Sequence, residues 1–481
     1  MIKFNFPTLE LLSKSQLREI HYATLEVLQK TGVVFKNNNA LKIFDQAGAY
    51  VDYKKQRVYI PTHLVEEAIR KAPSRFTWYA RNPKKSIRFE NGRIHFAPVC
   101  TPPFVYDIET GLKRPATLKD FENIVRIMDY LKRVDEGYGV VHPQDVPEHA
   151  EHAYCILYQI KNTEKCIRGR ARGSVIAKDC LKMVSMAAGS EEELMRKPML
   201  LCMVNPTSPL QWGTTMIEGA LEYVKLRQPI IPSAEVMAGA TGPATLAGTM
   251  VQHNAENLAM IVFAQILNPG APVVYGTVST VLDMRTGVPR LGGPELGVMA
   301  IGFAQLARYY GIPSRCAAGN TDSKTLDIQA GYETAFNIVL AVLSGFNYIT
   351  YALGSVDFSS AVCYEKIITD HEFLGMVEQL AKGIAISDET LAIDVIDEVG
   401  PGGNFLTQKH TRKFFRKEHF IPEIFDTQPY ERWIKSNTKD IRNRAKEEIR
   451  RILKEHQSPP LDKDIEKMLE NYVKMVKKRS R

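Results

Sequence analysis

Seven cysteines (Cys100, Cys155, Cys166, Cys180, Cys202, Cys316 and Cys363) are scattered along 481 residues, odd in number and without a CxxC pair. That excludes a disulfide framework and fits reduced thiols in a cytoplasmic protein. Clustered cysteines of the kind a zinc-thiolate site needs are absent too. HExxH is missing, because Gly375 stands where a second histidine would follow His371-Glu372. His142, His149 and His152 sit together in "VHPQDVPEHAEHAY", but at a helix start after Pro147 that reads as surface. No GxSxG elbow occurs. Neither GxxxxGK[ST] nor a GxGxxG following a strand is present, which leaves a nucleotide site without its phosphate cradle. The opening "MIKFNFPTLELLSKSQLREI" has no apolar core or small-residue cleavage site, so no signal peptide is expected.

Long apolar runs are equally scarce. From Thr334 to Val356 no charged residue occurs, about the length of a spanning helix. Yet "AFNIVLAVLSGFNYITYALG" passes at "SGFN" from helix formers to a Thr/Tyr/Ile run, which predicts a helix, a tight turn and a buried strand. No membrane segment is expected. Basic charge is missing from most of the chain as well. The net charge is +8, but residues 431–481 hold 16 Lys/Arg against 9 Asp/Glu and so carry +7 of it. That tail reads as an amphipathic, solvated helical segment. Nucleic-acid binding would want interleaved aromatics, and only Trp433 and Tyr472 occur there.

What is present is an ordinary globular composition, 24% charged and 44% hydrophobic, long enough for one large domain with appendages or about three average ones. "SKSQLREIHYATLEVLQKTGV" opens with a capping box, Ser13 and Gln16, lines Leu17, Ile20, Thr24 and Leu28 on one face, and stops at Gly32. "QRVYIPTHLVEEAIRKAP" predicts a short strand and a helix, and "SIRFENGRIHFAPV" a hairpin turning at Asn91-Gly92.

From about residue 134 a strand–loop–helix rhythm takes over. The strands are "VDEGYGVV", "KCIRGR", "MLLCMV", "PIIPSAEV", "PVVYGTVS", "SRCAAGN" and "YITYALG", centred near 138, 168, 202, 232, 275, 317 and 350. Strands alternating with helices at that spacing imply parallel β/α units. With an eighth strand around "AVCYEKIITD", the expected fold is α/β, a (β/α)8 TIM barrel. The domain reading is residues 1–130 as N-terminal helices and a small β region, 131–430 as the barrel, and 431–481 as the basic helical tail. A doubly wound open sheet is the alternative, though it usually carries a glycine-rich phosphate loop after its first strand.

In a barrel, polar residues at strand ends converge on the C-terminal mouth. Arg168, Arg170 and Arg172 follow the second strand, Asn205 the third, Glu235 the fourth, Thr277 and Ser279 the fifth, Asn320 and Asp322 the sixth, and Asp357 the seventh. "GATGPATLAGTMVQHNAENLA" begins a helix with small residues, suited either to holding an anion on free amides or to close packing. The long stretch "STVLDMRTGVPRLGGPELGVMAIG" carries Asp283, Arg285 and Glu295; Asp283 and Arg285 can also simply pair with each other. In "GNTDSKTLDIQAGYETA", Asp322 suits either a site or a helix cap. Gln329, in an apolar helix, is expected to need a buried partner.

Several motifs in this order, "PQDVPEHAEHAY…IKNTEKCIRG", "GATGPATLAGTMVQHNAENLA", "GAPVVYGTVSTVLDMRTG", "GGPELG", "QLARYYGIPSR", "TDSKTLDIQAGYE" and "ITDHEFLG", resemble the trimethylamine methyltransferase family along almost the whole chain. The resemblance implies a (β/α)8 barrel that transfers a methyl group from an amine to the Co(I) form of cobalamin on a separate corrinoid protein. It implies no cofactor bound tightly by this chain and no metal of its own; a homo-oligomer is expected. Archetypal members carry pyrrolysine just after the seventh strand. Laid on that pattern, "GSVDFSSAVCYEKIITDHEFL" puts Val356 at the pyrrolysine position, and valine cannot activate a neutral amine. The resemblance therefore implies a quaternary amine such as glycine betaine, which leaves as a neutral tertiary amine without help.

Two tasks then fall to the protein, holding a cation in line and excluding water. Quaternary ammonium groups are recognised by aromatic faces, and Phe104, Tyr106, Trp212, Tyr351 and Phe358 are the candidates. Arg168, Arg170 or His371 could pair with a betaine carboxylate. Glu295, Asp322 and Gln329 are the expected catalytic set, orienting the substrate or steadying the corrin. The basic tail is a candidate dock for an acidic corrinoid protein. Two alternatives stay open: a non-catalytic binder of methylated amines, and a tertiary-amine methyltransferase using Asp357 as general acid.

Overall fold

The computed structural model describes residues 2–3, 7–435 and 438–479; Arg481, counted in the basic tail, lies outside them. Seven parallel strands form the centre: β1 (Arg93–Phe96), β2 (Ile167–Arg168), β3 (Leu200–Val204), β4 (Ile230–Ala234), β5 (Tyr275–Thr277), β6 (Ser314–Ala317) and β7 (Tyr348–Thr350). Their order is β1-β7-β6-β5-β4-β3-β2. The register sets Ile167 against Leu200, Cys202 against Ile230, Ser233 against Gly276, Gly276 against Arg315, Arg315 against Tyr348 and Tyr348 against His95. The fold is mixed α/β, and this sheet is a parallel half-barrel. Ile2–Lys3 pairs antiparallel with the start of β1, and residues 135–137 reach toward both outer parallel strands. The Asp135 amide donates to Phe96 O at 3.0 Å, the Gly137 amide donates to Cys166 O at 2.9 Å, and Glu136 forms a parallel bridge with Cys166.

Six of the seven expected strands appear as such, and the first, "VDEGYGVV", is reduced to that bridge. Thr163 packs so tightly over Gly137 that a Cβ there would lie 2.3 Å from its methyl group, so close packing takes the place of a regular ladder. The expected eighth strand around 361 belongs elsewhere: Ala361–Cys363 pairs antiparallel with Ser355–Val356 and parallel with Phe104–Tyr106, which in turn pairs with Lys113–Pro115. The extra parallel strand is β1, which the sequence reading had put in a hairpin. The turn at 90–93 forms, but Ile87–Phe89 pairs with Phe76–Trp78, while the chain after Gly92 enters the parallel sheet. A turn dipeptide fixes the local bend; the partner of each arm is set by burial of Ile94 and Phe96 in the main core.

That diverted pair closes one end of the sheet. Trp78, Ile87 and Phe89 pack with Cys166, Leu201, Ile231, Val274 and Tyr348 into an apolar plug. Alternate residues on each strand point to the same side. The next inward positions, Arg168, Ser233 and Arg315, therefore sit one layer above the plug, and Glu235 one layer above them.

The N-terminal helix Lys14–Glu26 carries the capping box of Ser13 and Gln16, and the chain leaves the following turn at Gly32 with φ 72°. The uncharged run resolves as expected into the helix Ile328–Leu343, a turn at Gly345 (φ 75°) and β7. Among the described residues, no helix is long and apolar enough to cross a membrane. The tail is not a solvated appendage. Helix Ile441–Glu455 buries Ala445, Ile449 and Ile452 against helix Tyr364–Lys382, and helix Lys463–Lys478 buries Leu469, Val473 and Val476 against Glu151–Asn162 and Gly173–Ala188. Several of its cations are tied to the body of the protein: Arg479 pairs with Asp179 at 2.7 Å, Arg450 with Glu109 at 2.6 Å and Lys446 with Glu365 at 3.7 Å.

Candidate active site

Two buried arginines, Arg168 at the end of β2 and Arg315 in the first half of β6, face the interior in different states. Arg168 is saturated. Its Nε donates to Glu136 Oε1 at 2.8 Å and its Nη2 to Glu136 Oε2 at 2.5 Å, while Tyr348 Oη donates to Glu136 Oε2 at 2.7 Å. Its Nη1 meets Cys100 Sγ, and its guanidinium lies 4.8 Å from the Tyr138 ring centre. Burial pushes the Glu136 carboxyl up and Arg168 pulls it back. Arg170 is bound similarly, to Glu151 at 2.6 Å. Neither arginine is free for a substrate carboxylate, contrary to the sequence expectation.

Arg315 is different. It is fully buried, and Nη1 donates to Ser233 Oγ at 3.0 Å and to Thr277 O at 3.2 Å. Its Nε and Nη2 have no partner among the described residues. The Tyr351 ring centre lies 5.6 Å from its guanidinium carbon. A buried cation with two open donors is costly to maintain, by several kcal/mol on the usual scale for an unpaired buried charge. One anionic group would complete it. Glu235 is open to solvent at the end of β4; surrounding protein raises its carboxyl pKa and Arg315 opposes the rise. Tyr351 sits between these groups with φ 61°, and burial pushes its hydroxyl up. The mouth thus holds an open cation donor, an open carboxylate and an aromatic ring.

Gly354, beyond the end of β7 at Thr350, has φ 81°, and a Cβ there would meet Ile367 at 2.7 Å. The loop that follows is strained: Asp357, Phe358 and Ser359 have φ of 53°, 53° and 63°. Such consecutive left-handed residues persist only where the surroundings over-determine them. Here the amides of Asp357 and Phe358 donate to Ser323 O and Thr321 O, and Ser355 and Ser359 both donate to Asn320 Oδ1, at 3.1 and 2.6 Å. Val356 is buried in a small apolar cluster with Ala361 and Cys363, against which Phe104 and Tyr106 pack. Asp357 is ion-paired with Lys113 at 2.6 Å and accepts from Ser360 Oγ at 2.6 Å. Burial favours its neutral form, but Lys113 and Ser360 outweigh burial and hold its pKa below the ordinary value. Lys113 Nζ lies 4.6 Å from the Phe104 ring centre, and Lys324 Nζ 3.7 Å from that of Phe358.

An adjoining groove of about 690 Å³ brings together Asp322, Gln329, Glu333, Arg290 and Phe358. Asp322 Oδ1 accepts from the Gly292 amide at 2.9 Å, and burial raises its pKa. Gln329 is exposed, bonded to Glu333 at 2.9 Å, so it does not need the buried partner expected of it. Glu295 begins the helix Pro294–Tyr310 with Oε2 buried and unpartnered, and Arg290 lies 3.9 Å from Oε1.

Two expected residues lie apart. Trp212 is buried in an outer sheet, paired with Phe35, its indole donating to Glu256 O at 3.2 Å. His371 lies in the middle of the helix Tyr364–Lys382, where its Nε2 accepts from the Arg133 amide at 3.4 Å and burial, with Arg133 nearby, lowers its pKa to about 3. A neutral acceptor does not bind a carboxylate. Both were chosen by residue type, and type says nothing of which side of an element faces the mouth. Arg315 and Glu136 went unselected, although each is a charge inside an otherwise apolar or glycine-rich strand, the available signal. Among the described residues, no group of three or more His, Cys, Asp or Glu is arranged to hold a metal ion.

A family model described as "Trimethylamine methyltransferase (MTTB)" matches residues 1–480. The glycine betaine methyltransferase of Desulfitobacterium hafniense (strain Y51) is 37% identical over 97% of this chain and 97% of its own. The trimethylamine methyltransferase MttB of Desulfitobacterium hafniense (strain DSM 10664 / DCB-2) is 36% identical over 96% of this chain and 92% of its own. Among solved structures, the Methanosarcina barkeri monomethylamine methyltransferase MtmB matches with a TM-score of 0.47 and 10% identity, covering 91% of this chain and 92% of that one.

Proposed function

The chain belongs to the trimethylamine methyltransferase family and is a methyltransferase, and from that premise we propose that it demethylates a quaternary amine carrying a carboxylate, a betaine, passing the methyl group to Co(I) cobalamin on a corrinoid protein. Arg315 carries this reading. Its two open donors form a fork for a planar carboxylate, the pairing arginine favours. The ammonium end then falls toward Tyr351 and Glu235, a ring face and a carboxylate suited to a cation.

The bound corrinoid would supply a nucleophile for the methyl carbon. This chain's residues do the rest: Arg315 fixes one end of the substrate, Tyr351 and Glu235 the other, and the strained loop 355–360 with Phe104, Tyr106 and Val356 shields the site from water. As the methyl group leaves, the carbon–nitrogen bond breaks and its electron pair stays on nitrogen, so a neutral tertiary amine departs without a proton. A tertiary amine must carry a proton when its methyl group leaves, and one that reached the site unprotonated would find Asp357 held ionised by Lys113 rather than ready to give one. Asp322, Gln329 and Glu295 line or flank the groove beside the loop and are proposed to position the corrinoid partner rather than the amine. In the same reading the half-barrel closes through residues 135–137 into a (β/α)8 barrel. Its first strand is drawn from the 1–130 region, 131–430 supplies the rest, and 431–481 packs as a buttress.

Methylation of Co(I) cobalamin, followed by absorbance with reduced corrinoid protein present, tests the proposal. Turnover is expected with betaines, weaker turnover with quaternary amines lacking the carboxylate, and none with trimethylamine. Equal rates with and without the carboxylate would overturn the role of Arg315, and turnover of trimethylamine would overturn the substrate class.

A further inference from the structure

Between Lys382 and Glu418 not one residue is buried, yet the chain there is folded. Three short helices, Asp388–Leu391, Ile393–Val399 and Lys409–Glu418, contain no buried side chain. Isolated helices of four to ten residues are unstable in water, because nucleation costs more than so few hydrogen bonds return. Natural helices of this length hold only when one face is packed. Here the apolar side chains point outward: Ile384 is 87% exposed, Leu406 81%, Ile386 74% and Ile393 68%, with Leu391, Ile396, Phe405, Phe415 and Ile421 also exposed.

The charges of this arm are segregated. Residues 383–408 contain five acids (Asp388, Glu389, Asp394, Asp397 and Glu398) and no Lys or Arg; residues 409–417 contain five bases (Lys409, Arg412, Lys413, Arg416 and Lys417) and no acid. One pair, Lys413 with Glu389, joins the two halves within the chain, folding the arm back on itself. Asp394, Asp397, Glu398, Arg412, Arg416 and Lys417 make no ion pair among the described residues.

We propose that the arm 384–421 is the interface through which two copies of this chain associate, arm against arm about a two-fold axis. Such an interface must be self-complementary, since the same patch meets itself in reverse. An acidic half and a basic half joined by apolar side chains satisfy that: on rotation, each acidic half faces the other copy's basic half. The area is sufficient. At about 60–120 Å² of apolar surface per aliphatic side chain, the exposed apolar groups alone supply on the order of 650–1,300 Å² for the pair. Their charged flanks carry the total into the range of stable interfaces, about 1,200–2,000 Å². The inference stands apart from the methyl-transfer reading, as none of these residues lines the mouth.

Sedimentation of the full chain at micromolar concentration tests it. The wild type is expected at twice the chain mass or a multiple of that pair. I393E/I396E/L406E is expected to lose the pairing contact, with a far-UV circular dichroism change no larger than the three short arm helices account for and an unchanged melt of the remaining fold, since none of the three is buried within the chain. The acid-reversed variant D394K/D397K/E398K and the base-reversed variant R412E/R416E/K417E are each expected to associate at least about tenfold more weakly. An equimolar mixture of the two is expected to recover wild-type association, because reversed halves face each other with opposite sign. A monomeric wild type, an assembly indifferent to all three variants, or a mixture that fails to recover would overturn the proposal.

Discussion

Replacing Arg315 with methionine should move stability and activity in opposite directions. In the free protein the guanidinium is fully buried, bonded to Ser233 and Thr277, and leaves Nε and Nη2 unpartnered. Swapping an incompletely paired buried charge for an apolar side chain of similar length is stabilising by about 1–4 kcal/mol in comparable cases. The two lost hydrogen bonds return about 1 kcal/mol each. The net expectation is a gain of up to about 2 kcal/mol. With an unfolding entropy of about 2.1 cal/mol/K per residue, that is an upward shift of about 2 °C or less for a chain of this length. With substrate bound the sign reverses: a betaine carboxylate set against methionine is desolvated without a partner, costing about 2–5 kcal/mol, or roughly 30- to 5,000-fold in kcat/KM. Choline, which has no carboxylate, should be turned over by wild type and R315M at similar rates. Thermal melts with and without ligand, together with kcat/KM for both substrates, read all of this. A variant that loses choline and betaine turnover equally would show that Arg315 supports the fold of the mouth rather than reading the carboxylate.

Further consequences are measurable. Lys366 is buried and holds Asp370 at 2.7 Å while donating to Thr334 Oγ1, and Asp370 accepts from the Gly354 amide at the head of the strained loop. K366M strands that carboxylate and should cost about 3–5 kcal/mol in urea unfolding, whereas a value under about 1 would mean water reaches the site. Burial lowers both His253 and His371 to about 3 in the fold, against an ordinary 6.5 when unfolded. Between those values the unfolded chain binds the extra protons, so stability should fall with falling pH by about 1.4 kcal/mol per unit for each histidine. H371Q, whose amide oxygen can accept the Arg133 amide, should remove its share of that slope; an unchanged slope would refute the assignment. Truncation after residue 455 removes Leu469, Val473 and Val476 from the core and should cost about 5–8 kcal/mol. A shortened chain with the wild-type melting temperature would contradict the packed tail.

The periodic parts of the fold were legible, and the contacts made across the chain were not. Helix starts, the Gly32 stop and the turn at Gly345 depend on neighbours within four residues, so composition reveals them. Strands β2 to β7 were visible because residues buried on both faces read as short apolar runs. The assignment failed at β1 and at Ala361–Cys363, where similar apolar patterns serve different sheets and only long-range pairing decides which. The site followed the same division. Glu235 was noted as following a strand and Tyr351 as an aromatic face, and both lie near Arg315, while the pairing of Arg168 was missed, since its partner Glu136 lies 32 residues away and nothing local records it. Trp212 failed for the converse reason: an aromatic at a strand end is indistinguishable in sequence from one that packs against a second sheet.

The missing acid and the open arginine point the same way. A methyl group leaves nitrogen readily only if nitrogen departs neutral, so a tertiary amine that reaches the site unprotonated must be given a positive charge there. The loop after β7 could do so through Asp357 alone, and the fold commits that carboxylate to Lys113 and Ser360 while Val356 beside it is sealed among apolar side chains. Nothing in the loop is placed to create the charge, and in the proposed reading the substrate brings it. A permanent cation still needs direction. Ring faces alone hold it without fixing which methyl points outward, and two of the rings beside the loop already carry lysines, Phe104 under Lys113 and Phe358 under Lys324. A second handle at a fixed distance supplies the direction, and Arg315, 5.6 Å from the Tyr351 ring centre, is a buried group with two donors to spare. In that reading a loop without a charging residue and an arginine with open donors are two halves of one specificity, since recognition of a substrate already charged comes from its other end.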